Sequence, residues 1–243
     1  MKIEVWSDFV CPFCYIGKAR LEEALSQFPH RDSVKIEFKS FELDPNSPLY
    51  SGKSIHESLA SKYGMSIEQA MQMNQNVGQQ AAAVGLTFNF DNMKPTNTFN
   101  AHRLAKYAKT QGKEAVITEK LLYAYFTESR NVGDIETLAD IAEASGLDRE
   151  EALKVLQDEK AFANDVRIDQ AIAQQYQITG VPFFIVNQKY AISGAQPTST
   201  FTGALQKVWE EENPAPVFQD LSTISAEDSS CVDGNCMIPD KKE

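Results

Sequence analysis

No run of about eighteen apolar residues occurs anywhere in the 243-residue chain, so nothing in it reads as a membrane-spanning helix. A charged-then-apolar leader is also missing. Met1 runs almost directly into the first strand-like stretch, which points to a cytoplasmic protein. Basic residues are in deficit, 23 Lys and Arg against 34 Asp and Glu for a net charge of −11, and that balance argues against a nucleic-acid partner. The deficit is uneven: nine acids and two lysines fall from Glu210 onward, leaving only −4 for everything before. No internal repeat of fixed period is evident. Cysteine is scarce, with four residues in two pairs more than two hundred positions apart. In a reducing compartment such a pair is catalytic more often than a structural staple. What remains is an ordinary globular composition, 42% hydrophobic and 10% aromatic, enough for a sizeable core in one large or two modest domains.

The chemistry concentrates in Val10-Cys11-Pro12-Phe13-Cys14-Tyr15. An apolar-alternating run, Ile3 to Trp6, precedes it, and Leu21, Ala24, Leu25 and Phe28 follow at helical spacing. A strand that becomes a helix at a C-x-x-C sets the first sulfur at the helix N-terminus. Unpaired N–H groups and the positive end of the helix dipole there favour a thiolate. Pro12 suits the first helical position, where an N–H would have no partner. Cys11 is therefore the expected nucleophile and Cys14, one turn further in, the more buried resolving thiol. A structural zinc site needs two further ligands at comparable spacing, and the remaining cysteines are remote, so redox chemistry is favoured and no metal is expected.

Val34 to Phe41 alternates with period two and reads as a half-buried strand, giving strand–helix–strand, the start of a parallel α/β unit. Asp44-Pro45-Asn46-Ser47-Pro48 breaks it. Helical patterns then dominate. Ser54-Ile55-His56-Glu57 and Ser66-Ile67-Glu68-Gln69 read as capping boxes. Runs follow over 98–111, 114–129, 135–145, 149–157 and 160–177, punctuated by Gly112, Gly133 and Gly146. Strand character returns in Thr179 to Val186 and Lys189 to Ile192, with Asn187-Gln188 as the hairpin turn, and a closing helix spans 198–212. The expected class is α/β, a thioredoxin-like four-stranded sheet with an inserted all-helical domain. Its first part is residues 1–47, the insertion 48–160, the second part 161–212, and an acidic tail 213–243 follows.

Pro182 heads a strand, where proline is tolerated for purely structural reasons. The other reading is a cis X-Pro peptide facing the thiols, leaving the Val181 backbone free for an extended substrate; the C-x-x-C upstream favours it. Asp8 is expected as a turn-forming or surface aspartate in preference to a proton-transfer group at Cys14. His102 is expected to pack within the helical domain in preference to relaying protons. Tyr123, Tyr125 and Phe126 read as core, and His30 and His56 as surface.

Taken together, Ser7 to Lys18, Asn97-Thr98 with Ala101-His102-Arg103-Leu104, Gly180 to Phe184, and Ile192 to Gln196 resemble DsbA-family thioredoxin-fold oxidoreductases, most closely their cytoplasmic FrnE branch. The resemblance covers about residues 1–210. It implies a DsbA-like fold whose helical insertion roofs the active site, thiol–disulfide exchange through Cys11 and Cys14, and Pro182 in cis. It implies substrate contacts at Pro12, Phe13 and Val181. Protein or peptide disulfides are the implied substrates, with glutathione or the thioredoxin system as redox partner, no resident cofactor, no nucleic acid and no membrane. Pro12-Phe13 lacks the histidine that strongly oxidising members carry between their thiols, which implies a less oxidising couple. Relatives in the same superfamily are glutathione-dependent isomerases and kappa-type transferases of small aromatic or polyketide-like substrates. They lack a working thiol pair, so that activity is the alternative.

The tail carries Cys231-Val232-Asp233-Gly234-Asn235-Cys236. Asp-Gly between the cysteines supports a tight turn. It also matches a C-terminal C-x4-C seen in some FrnE-type proteins. An auxiliary redox role for Cys231 and Cys236 is one reading, and adventitious oxidation of a disorder-prone tail is the other. A non-enzymatic redox sensor or metal-binding adaptor has only the tail in its favour.

Overall fold

The computed structural model describes residues 1–50 and 52–214; the tail cysteines Cys231 and Cys236 lie outside the described residues. A four-stranded mixed sheet runs in the order β2-β1-β3-β4, formed by β1 (Lys2–Ser7), β2 (Lys35–Ser40), β3 (Phe183–Val186) and β4 (Tyr190–Ser193). β1 lies parallel to β2, with Lys2 opposite Lys35 and Ser7 opposite Ser40, and antiparallel to β3, with Trp6 opposite Phe183. β3 and β4 form the hairpin. Asn187 and Gln188 both take positive φ, 50° and 55°, in a turn closed by Lys189 N–H to the Val186 carbonyl at 3.0 Å. That left-handed pair follows the twist of the strands it joins.

Period-two alternation along β1 sends its side chains to two cores. Ile3 and Val5 join Leu21, Leu25 and Phe28 of α1 (Pro12–Ser26) and Phe201, Leu205 and Val208 of α9 (Thr198–Glu212). Trp6 points the other way, onto Ile185, Ala173 and Ile178, and its indole N–H donates to the Asp169 carbonyl at 3.1 Å. Burying an indole without such a partner would be costly.

Between β2 and β3 lie α2 (Ile55–Tyr63), α3 (Ile67–Ala82), α4 (Phe99–Thr110), α5 (Glu114–Phe126), α6 (Ile135–Ala144), α7 (Arg149–Gln157) and α8 (Ala163–Gln175). No helix among the described residues is long and apolar enough to cross a membrane. Both capping boxes form: Ser54 and Ser66 side chains each accept the backbone N–H three residues on, and Glu57 and Gln69 reach back to the cap N–H at 2.8 and 2.9 Å. Two helices are shorter than their sequence patterns. α5 stops at Phe126, before Ser129 turns left-handed with φ 55°. α8 is bounded by left-handed Phe162 and Gln177, φ 58° and 56°, so the pattern over 160–177 yields only its middle. Leu104, Ile117, Leu121, Leu122, Tyr125 and Phe126 build the helical core, whereas Tyr123 is 46% exposed on the opposite face of α5 and is not core.

Polar ties join the helices to the sheet. The Asp169 carboxylate on α8 accepts the Ser40 N–H at 2.7 Å and also takes the Lys106 ammonium from α4. α1 is tied to α5 through Glu119, which accepts from Tyr15 and Lys18, each at 2.5 Å. Within the helical layer, the buried Arg103 guanidinium donates to the carbonyls of Val155, Leu156, Asp158 and Ala161 and to the Asn100 side chain. It thereby closes the C-terminal end of α7, where unpaired carbonyls and the dipole favour a cation.

Candidate active site

The β1–α1 turn builds the thiol pair. Cys11 is the residue before the helix, with φ −93° and ψ 112°, and Pro12 takes the first helical position. The Cys11 N–H donates to the Asp8 carbonyl at 3.2 Å and the Cys14 N–H to the Cys11 carbonyl at 3.0 Å, fixing the turn. Both thiols are free and buried, whereas Phe13 between them is exposed. The two sulfurs have different surroundings. The Cys11 Sγ lies at the helix mouth, 3.6 Å from the Val181 carbonyl. The Cys14 Sγ sits one turn inside and accepts the Asp8 N–H at 3.4 Å. Burial pushes the Cys14 thiol well up and the neighbouring Cys11 sulfur pushes it further; the Ser7 hydroxyl and Asp8 N–H favour its thiolate but do not outweigh them.

The Val181–Pro182 peptide is cis and faces this turn. The loop is held from two sides. Gly194, at φ 78°, donates its N–H to the Pro182 carbonyl at 2.8 Å. On the other side Gly17 brings α1 so close that a Cβ there would stand 3.0 Å from Pro182 Cγ and 3.2 Å from Phe184 Cζ. Gly17 is thus a spacing residue that the sequence pattern did not single out. Its signal was a glycine inside a strongly helical run, three residues past Cys14.

Asp8 departs from expectation. It does make the turn through its backbone, but its side chain is buried, not at the surface. Oδ2 accepts the Leu43 N–H at 2.8 Å, and Oδ1 stands 3.3 Å from Nε2 of His102, also buried and stacked obliquely on Phe9. The two are 94 residues apart in sequence, so no local pattern joins them. His30 stacks on Trp209, with ring centroids 3.8 Å apart. His56 lies beside a groove of about 450 Å³ formed with α3 and residues 88–91, lined by neither thiol.

A cysteine at a helix N-terminus, a second cysteine one turn behind it and a cis-proline loop against the first, on a four-stranded sheet with inserted helices, make up a thioredoxin-type arrangement. The chain belongs to the DsbA-like thioredoxin domain family, whose model matches residues 2–206. It is 33% identical over 207 residues to the uncharacterized protein YwbO of Bacillus subtilis, covering 84% of this chain and 94% of that one. It is 40% identical to the probable DsbA oxidoreductase SCO1869 of Streptomyces coelicolor, whose crystal structure superposes with a TM-score of 0.83 over 99% of this chain and 100% of the other. The cytosolic disulfide reductase DsbM of Pseudomonas aeruginosa shares the fold at 13% identity and a TM-score of 0.61, over 87% of this chain and 100% of its own.

Proposed function

We propose that this protein is a cytoplasmic, FrnE-like thiol:disulfide oxidoreductase or isomerase acting on protein or peptide disulfides. The observation that carries the reading is the asymmetry of the pair: Cys11 opens α1 against the Val181 carbonyl, while Cys14 is held protonated by burial one turn behind. The Cys11 thiolate attacks one sulfur of a substrate disulfide, forms a mixed disulfide and expels the second substrate sulfur as a thiolate. Cys14 then loses its proton and attacks the Cys11 sulfur. The Cys11–Cys14 disulfide forms, the Cys11–substrate bond breaks, and the substrate sulfur first attacked leaves as a thiolate. Two electrons have passed from protein to substrate; the reverse sequence oxidises a dithiol. Pro12, Phe13 and the Val181 backbone contact the extended substrate, and Pro182 shapes that wall. Glutathione or the thioredoxin system resets the pair, with no resident cofactor. The Cys231/Cys236 pair serves as an auxiliary couple exchanging with Cys11/Cys14.

Cys14→Ser tests the reading. It should accumulate a mixed disulfide at Cys11 with a disulfide-bonded peptide, seen as a mass adduct that dithiothreitol removes. A variant that forms no adduct, yet turns over a small aromatic substrate with glutathione, would instead make the protein a glutathione-dependent isomerase or kappa-type transferase. Replacing Cys231 and Cys236 by Ser should slow turnover of a protein disulfide; unchanged turnover would remove the auxiliary role.

A further inference from the structure

The groove beside His56 takes no part in the chemistry above, and its walls carry a charge of one sign. It holds about 450 Å³ between α3 and residues 88–91, a volume within the range of ligand sites. Phe88 and Phe90 form an aromatic wall, set edge to face with ring centroids 5.8 Å apart. Met71, half exposed on α3, continues the apolar surface. Glu68 and Asp91 bring two carboxylates to the lining. Hydrogen bonds from its own N–H and from Ser66 hold the Glu68 carboxyl below its ordinary value, so it is ionised at neutral pH. His56 does not offset them. The buried Asn74 places its side-chain amide nitrogen 3.0 Å from Nδ1 of that ring. An amide nitrogen can only donate, so Nδ1 accepts and Nε2, 3.5 Å from the Asp91 carboxylate, carries the proton. That pattern belongs to the neutral imidazole. No Lys or Arg among the described residues lines the groove.

Two carboxylates, an aromatic wall and no resident cation suit a guanidinium, a planar cation that stacks on rings and pairs with carboxylates. We propose that the groove docks an arginine-bearing stretch of the polypeptides whose disulfides the thiol pair exchanges. The substrate role rests on the redox reading above, whereas the cation preference rests on the groove alone. The groove is built into the framework of the thiol turn. Phe88 stacks on Tyr15, the residue after Cys14, with ring centroids 5.9 Å apart. Phe88 and Phe90 also pack against a cluster that joins Ile16 on α1 to Val77 and Ala81 on α3 and takes in Ala195. A segment docked there is held against the helix that carries the thiols, which raises the effective concentration of its disulfide. The chain's own tail has the wrong sign of charge for this site, with nine acids and two lysines from Glu210 onward.

The test uses the full-length chain and two end-capped peptides without cysteine, one bearing a pair of arginines and the other glutamates in their place. In titration calorimetry at low salt the arginine peptide should bind about tenfold more tightly, and a lysine version should fall between. Glu68→Gln combined with Asp91→Asn should weaken the arginine peptide about fivefold, the scale of two exposed ion pairs. Met71→Lys sets a cation in the lining and should do the same; that side chain is already half exposed, so the fold tolerates it. Glu143→Gln combined with Glu150→Gln removes the same charge from exposed positions of α6 and α7. This control should change affinity by less than about twofold, which separates the groove from the overall charge of the chain. Disulfide peptides then carry the arginine pair four, eight or twelve residues from the disulfide. At one spacing or more the KM should lie about fivefold below that of the glutamate counterpart, a margin the groove variants lose. An arginine affinity that survives the groove variants, or falls equally in the control, overturns the proposal, and so do equal KM values at every spacing. A dimer in sedimentation that Met71→Lys splits gives the groove to a second copy and overturns it too. Arginine binding with no turnover of any disulfide peptide overturns the redox reading and with it the substrate role, while the cation site stands.

Discussion

Gly17→Ala sets two known effects against each other at the point where α1 meets the cis-proline loop. Replacing a helix-interior glycine by alanine normally stabilises by about 1 kcal/mol. Here the new methyl would stand 3.0 Å from Pro182 Cγ, 3.2 Å from Phe184 Cζ and 3.5 Å from the Ala195 Cα. Carbon contacts are comfortable at about 3.5–4.0 Å, so α1 must move by roughly half an ångström. None of the three neighbours is the free end of a flexible chain. Overpacking of this kind costs about 1–3 kcal/mol, so the net change should be a loss of about 0–2 kcal/mol. For a chain of this size that lowers the melting temperature by at most about 8 °C. Gly203→Ala in α9 is the control, because nothing lies within 4 Å of its added Cβ. It should gain up to about 1 kcal/mol, and the difference between the two variants isolates the close contact. The same movement opens the 3.6 Å approach of Cys11 to the Val181 carbonyl, and turnover of a peptide disulfide should fall by about tenfold. A Gly17→Ala protein as stable as Gly203→Ala, with undiminished turnover, would refute the claim that Gly17 sets the α1–Pro182 spacing.

Arg103→Met should cost about 3–5 kcal/mol in urea unfolding, since four carbonyls lose a buried cation. Arg103→Lys keeps the charge without the fork and should recover less than half of that; a loss under about 1 kcal/mol for the methionine variant would contradict the capping role. Glu37 gives a pH signature. Burial alone would raise its pKa, but hydrogen bonds from Lys109, Lys2 and Lys39 outweigh it and hold the carboxyl well below the usual range. A depressed carboxylate contributes stability above its unfolded value, about 4.3, that is lost as pH falls below it. Glu37→Gln should therefore be less stable at neutral pH, with a flatter dependence of the urea midpoint on pH below about 4.5. An acid limb as steep as the parent's would place the charge coupling elsewhere.

The thiol turn was legible in sequence because its signals are local. Ile3 and Val5 alternate, Pro12 fits a first helical turn, and the spacing of Cys11 and Cys14 is a helical repeat. The capping serines and the Asn187-Gln188 turn were legible for the same reason. What stayed hidden depends on partners far along the chain. Asp8 looks like a turn residue until α4 brings His102 against it, and nothing local marks Arg103 as the group that closes the end of α7. Gly17 shows only as a helical oddity until Pro182 arrives from the opposite end of the sequence. Helix ends were misjudged where Phe162 and Ser129 turn left-handed, conformations that neither residue type announces.

The hydrogen bond from Ser40 to Asp169 has a consequence for how the protein can change over generations. Ser40 is where the chain leaves the sheet for the helices, and α8 is where it comes back, so departure and return share one doorway. Helices beyond that doorway can be lengthened, trimmed or replaced while its two posts stay bolted together. The thiol turn hangs from β1, the strand beside the doorway, and from α1 on the sheet's own framework. Among those helices, the faces of α4 and α5 that reach back to Asp8, Tyr15 and Lys18 are bound to the thiol turn's own framework, so variation elsewhere in those two helices leaves these ties in place.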